Sequence, residues 1–165
     1  MAITIVRDGY GQVEPNHLSA PRDGRVYAQL PAADGISVLE NGMFVKYDYA
    51  AGEVNFTGAG AWMLVYNEEK LYDERHQMHK DWAQKVEDSY DGKIYPRVFG
   101  IVAGDIFTTN TFANNTSLAV GDTVIPGDDG YLKSGNSGDL VFKVVKEYTL
   151  PDGQPAVKLQ CTKAV

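Results

Sequence analysis

The chain has 165 residues, 44% of them hydrophobic, enough for one domain with a buried core. Its 22 acidic and 15 basic residues give a formal net charge of −7 with no basic run, so direct nucleic-acid binding through neutralised phosphates is not expected. A single cysteine excludes an intrachain disulfide, and no apolar run approaches the roughly 20 residues that span a bilayer.

The first residues, MAITIVRDG, contain a short apolar strand at 3–6. They carry neither the apolar stretch nor the cleavage pattern of a signal peptide, so synthesis in the cytoplasm without export is expected. GYGQVEPNHLSAPRDG follows, polar and broken by Pro15 and Pro21. Its lack of apolar periodicity predicts that residues 1–25 form an extended arm that packs poorly on its own domain. Residues 26–30 alternate again. In 36–56, Asn41-Gly42 favours a tight turn because both residues tolerate positive φ. Met43, Val45, Tyr47 and Tyr49 then fall on one strand face, and Phe44, Lys46 and Asp48 on the other. Gly52 ends that strand, and AWMLVY at 61–66 reads as a buried one.

The stretch YNEEKLYDERHQMHKDWAQKVED has a helical period. Leu71, Arg75, Met78, Trp82 and Val86 fall on one stripe, with Asn67 placed to cap and Glu68 and Glu69 suited to the positive end of the dipole. A helix over about 67–88 laid against a sheet is the expectation; a strand followed by a long charged loop is the competitor. Asp73, His76 and His79 could share a helical face as metal ligands. The zinc-protease spacing of two histidines four apart is absent, however, and no cysteine cluster completes a tetrahedral set.

The last third, 99–165, reads as consecutive hairpins. In VFKVVKEYTL-PDGQ-PAVKLQCT, Phe142, Val144, Tyr148 and Leu150 could share a face with Val157, Leu159 and Cys161 across a Pro151-Asp152-Gly153 turn. Cys161 alternates as a small buried hydrophobe, without the base or electropositive setting of a nucleophile. Regularly spaced short strands predict a mainly β fold, a small barrel or sandwich of short antiparallel strands in a single domain.

No G-x-S-x-G elbow, P-loop or dinucleotide fingerprint is present, and no pair of acids stands out from the 22 as a catalytic couple. No catalytic, cofactor-binding or metal-ligating residue is therefore assigned. The ten tyrosines, six phenylalanines and two tryptophans suit either a core or a sugar-stacking platform.

LAVGDTVIPGDDGYLKS followed by GDLVFKVVKEYTLPDGQPAVKLQ resembles the barrel segment of tailed-bacteriophage head decoration (cement) proteins, with their V-G-D-x-V turn, D-G-x-L element and closing strand pair. The middle block from ENGMFVKYDYAAGEV to GDIFTTNTF is similar to phage structural proteins of the same kind. The resemblance implies a non-enzymatic, cofactor-free virion protein on the capsid surface. Its partners would be the major capsid protein and further copies of itself, as in a trimer, with neither nucleic acid nor membrane. The candidate partner contacts are Asp73, Glu74, Arg75 and His76 in the charged stretch, with Tyr10 and Arg22 in the arm. A carbohydrate- or receptor-binding module of a head fibre or tail-associated protein is the alternative, and a small metal enzyme built on Asp73, His76 and His79 a third.

Overall fold

A strand whose successive side chains are all apolar needs cover on both faces, and two such runs, MFV (43–45) and WMLV (62–65), set the layering of this protein. The computed structural model describes residues 1–67 and 78–165. In chain order the strands are β1 (Ala2–Ile5), β2 (Val13–His17), β3 (Val26–Tyr27), β4 (Val38–Leu39), β5 (Phe44–Asp48), β6 (Glu53–Asn55), β7 (Trp62–Val65) and β8 (Gln84–Lys85). They continue as β9 (Val98–Gly100), β10 (Ile106–Thr109), β11 (Thr116–Ala119), β12 (Thr123–Pro126), β13 (Leu132–Ser134), β14 (Leu140–Thr149) and β15 (Pro155–Ala164). A single helical turn, α1 (Ala20–Asp23), and two 3-10 turns, His79–Asp81 and Val86–Asp88, complete the described elements.

The strands form a six-stranded sheet in the order β13-β12-β14-β15-β10-β2 and a five-stranded sheet in the order β3-β9-β7-β5-β6. Two ribbons, β1-β11 and β4-β8, flank them. Every strand ladder described is antiparallel. The protein is mainly β, as expected. Among the described residues neither sheet closes on itself, so the architecture is sandwich-like and not a barrel.

The five-stranded sheet is the middle layer. One face sends Phe44, Leu64 and Phe99 into a first core with Phe107, Phe142, Val144, Val157 and Leu159 of the six-stranded sheet. Phe142 links the layers, its ring 5.5 Å from Phe44 and 5.3 Å edge-on from Phe107. The other face sends Val45, Met63, Val65 and Val98 into a second core, closed by Ala32, Ile36, Leu39 and Ile94 from the surrounding chain. Met43 and Val45 therefore oppose Phe44 across the sheet, the alternation expected from the sequence.

Residues 1–25 are not a free arm. β1 pairs with β11, Ile5 is completely buried, and β2 forms one edge of the six-stranded sheet beside β10. The segment lacks apolar periodicity because polar bonds hold much of it. Pro15, read as a breaker, sits in an edge strand, where a missing N–H costs no ladder bond.

The helix expected over 67–88 is overturned for its described part. Met78, Trp82 and Lys85 have extended backbone, with φ of −109°, −116° and −127°. Pairing of β8 with β4 and the bond from Tyr10 N to Lys80 O (2.7 Å) take up backbone groups that a helix would have used internally. Residues 68–77, which include Leu71, lie outside the described part of the chain.

Candidate functional site

Residues 7–12 cross one end of both sheets and are held almost entirely by polar contacts. Glu40, 6% exposed, is the centre. One carboxylate oxygen accepts from Arg7 Nη1 at 2.6 Å and from Gly11 N at 2.7 Å, and the other accepts from the Tyr131 hydroxyl. The Arg7 guanidinium also stands 5.0 Å from the centre of the Tyr131 ring. A second set of bonds fixes the same segment to the β14–β15 turn. Asp8 N donates to Gln154 Oε1 (2.8 Å), Gln154 Nε2 donates to Asp8 O (3.0 Å), and Gln12 Nε2 donates to Asp152 (2.8 Å). Gln12 N donates to Asn110 Oδ1 (2.9 Å), and Lys80 Nζ is paired with Asp8.

Buried polar groups are costly unless bonded, and a fully bonded set rigidifies the loops it joins. The run Thr108-Thr109-Asn110-Thr111, wholly buried, is used in this way. Thr109 Oγ1 donates to Gln12 O (2.8 Å), and Thr111 Oγ1 donates to Asn41 O (2.7 Å). That last bond brings β10's extension against the 41–42 turn. A β-carbon on Gly42 would stand 2.2 Å from Thr111 Oγ1, and Gly42 itself has φ of 93°. Gly42→Ala is therefore expected to lose about 2–3 kcal/mol, combining left-handed strain with overpacking. Thermal or urea unfolding checks it, and a neutral result would mean that the turn relaxes without cost.

Burial and the bond to Glu40 push the Tyr131 hydroxyl up to about 12 from its ordinary 10.0. A raised folded-state value favours the neutral phenol, so this contribution to stability is complete below pH 10 and is lost as pH rises through about 12. A spectrophotometric titration should find Tyr131 ionising last or together with unfolding, and Tyr131→Phe should remove that late step. A normal titration of all ten tyrosines would refute it.

The sequence-predicted contacts are dispersed. Asp73, Glu74, Arg75 and His76 lie outside the described residues. Tyr10 is half-buried in the clasp, with Lys85 Nζ 5.3 Å from its ring centre. Arg22 is exposed on α1, its Nε donating to Asp23 at 2.8 Å, at the opposite end of β2 from Tyr10. His79 opens a 3-10 turn, and among the described residues no group of three or more His, Cys, Asp or Glu could hold a metal ion. Cys161 is 2% exposed, and burial raises its thiol to about 11, far from a thiolate at neutral pH. The Glu40 clasp was missed because its members are scattered from Arg7 to Gln154. The only local sign was a glutamate just before an Asn-Gly turn.

Tyr27, Tyr47 and Tyr49 form a cluster on β3 and at the end of β5, with ring centres 6.2 and 5.9 Å apart and planes inclined by 59° and 75°. Tyr49 is exposed, but rings so inclined present edges and not one flat stacking surface. No helix among the described residues is long and apolar enough to cross a membrane. No protein-family model, no curated protein and no solved structure matches this chain.

Proposed function

We propose that the chain is a non-enzymatic structural protein of a tailed-bacteriophage virion, a decoration protein that binds the shell of the major capsid protein and stabilises it. The observation that supports this reading is how the buried polar side chains are used. Glu40, Asp105, Gln154 and the Thr108–Thr111 run are engaged in fastening loops, a use that suits a rigid framework. The 118–134 segment that carries the resemblance folds as strand, turn, strand, turn, strand, and the long β14–β15 hairpin follows. Many modest contacts repeated over a shell lattice would supply the avidity such a protein needs.

The test is co-sedimentation of purified protein with undecorated shells, followed by electron microscopy. Saturable binding at a fixed lattice position, with shells made more resistant to heat, is the expected result; protein left in the supernatant at all shell concentrations would end the reading. The exposed ring of Tyr49 favours a second reading, a carbohydrate- or receptor-binding module. A glycan array giving binding that Tyr49→Ala removes would support that one instead.

A further inference from the structure

Because Phe107, Phe142, Val144, Val157 and Leu159 point into the first core, their neighbours along the same strands point out from the six-stranded sheet. The ladder registers set Lys133 beside Ile125, Lys143 beside Gln160, Lys146 directly opposite Lys158, and Lys163 opposite Val141. An irregularity at Val145 brings Lys146 onto the outward side with Lys143. Five lysines thus share one sheet face. Lys133, Lys143, Lys146 and Lys163 are exposed and Lys158 is half-buried. None of the five forms an ion pair among the described residues; Lys163 Nζ donates to Gly138 O at 2.7 Å. The outward strand positions carry one carboxylate, Glu14, which accepts from the Tyr148 hydroxyl; Asp122 and Asp139 stand in the bordering turns. Like charges directly opposite one another destabilise a ladder, so this face has a cost to the fold.

The chain as a whole is acidic, at −7, so its negative charge gathers elsewhere. On the far side of the second core, the loop that starts at Val86 exposes Glu87, Asp88 and Asp91 around a completely exposed Tyr90. Lys85 and Lys93 flank it, the former 3.8 Å from Glu87, which stays 76% exposed. The layers therefore run from a basic outer sheet face, through two cores, to an acidic loop.

We propose that the lysine face of one copy docks on the acidic 87–91 loop of a second copy. The two surfaces differ, so the contact is head-to-tail and builds a ring or an open chain, not a two-fold dimer. Single exposed charge pairs are weak, so several must act together and salt must weaken them. Nucleic acid fits less well, because the net charge repels phosphate and the one aromatic of the face, Tyr148, is bonded to Glu14. This contact does not depend on the virion reading and is tested on purified protein alone.

Sedimentation velocity of the wild-type chain should show concentration-dependent association at about 20 mM salt that is gone by about 500 mM, where the Debye length is about 4 Å. Lys143→Glu with Lys146→Glu, and separately Glu87→Lys with Asp88→Lys, should each weaken association about tenfold or more. Lys143→Gln with Lys146→Gln should give a smaller loss and guards against a folding defect in the reversed variant. Mixing the two reversed variants should restore association between them, since each then carries the partner surface the other needs. A wild-type chain monomeric at low salt, association indifferent to both reversals, or a mixture that stays monomeric would overturn the proposal. So would a monomeric wild-type chain whose lysine face binds fluorescent single-stranded DNA.

Discussion

Glu40→Ala is expected to cost about 3–5 kcal/mol, the range for removing one member of a buried ion pair. The Arg7 and Glu40 side chains are only 12% and 8% exposed, so the orphaned guanidinium could not regain its hydration. Gly11 N and the Tyr131 hydroxyl would lose their acceptor in the same step. Urea unfolding measures the loss; a change below about 1 kcal/mol would mean that water enters the clasp and replaces the carboxylate. Arg7→Met combined with Glu40→Leu should recover part of the stability, because an apolar pair leaves no buried charge. Recovery should stay incomplete, since the Gly11 amide still lacks a partner.

Phe142→Ala is expected to lose about 3–5 kcal/mol, the usual cost of truncating a buried aromatic. Phe142 is completely buried and touches aromatics of both sheets, so the cavity would open between the two layers, where neither sheet can collapse without moving the other. Its sheet neighbour Val145, at the strand irregularity and 37% exposed, supplies the control, with Val145→Ala expected to change stability by less than about 0.5 kcal/mol. Equal losses at the two positions would show that the register of β14 is wrong.

That register was largely legible in the sequence. Alternation placed Phe142 and Val144 with Leu159 and Cys161, and the ladder pairs Phe142 with Cys161 and Val144 with Leu159. Tyr148, expected on the same face, is carried to the outward side by the irregularity at Val145. The extra residues at Val145 and Thr162 were not legible, because a bulge leaves no signature beyond a break in phase that an exposed valine or threonine hides. The middle sheet was legible for a related reason. WMLV has no polar position, and a run apolar on both sides has to be an interior layer.

Two misreadings share one physical cause. Met78, Trp82 and Val86 fall at helical spacing by sequence, yet long-range partners decide their backbone: Ser37 O accepts from Val86 N, and Lys80 O from Tyr10 N. Residues 7–12 looked unattached because periodicity reports apolar burial and is blind to polar fastening. The lysine face escaped notice similarly, since its members alternate with core residues on three strands and form no run.

The bond between Asp8 N and Gln154 spans 146 positions of the chain, and β1 and β2 wait for β11 and β10. Residues 2–17 are thus made well before the strands and turn that seat them. A nascent chain halted before residue 150 would hold every strand of the five-stranded sheet but lack Val157 and Leu159 from its first core. In that interval Asp8 still lacks Gln154 and Gln12 still lacks Asp152, although β10 and β11 are already made. Such distant pairings close slowly, on the scale of milliseconds to seconds. Closure of these contacts is accordingly a late event in folding, and residues 7–12 are the latch that records it.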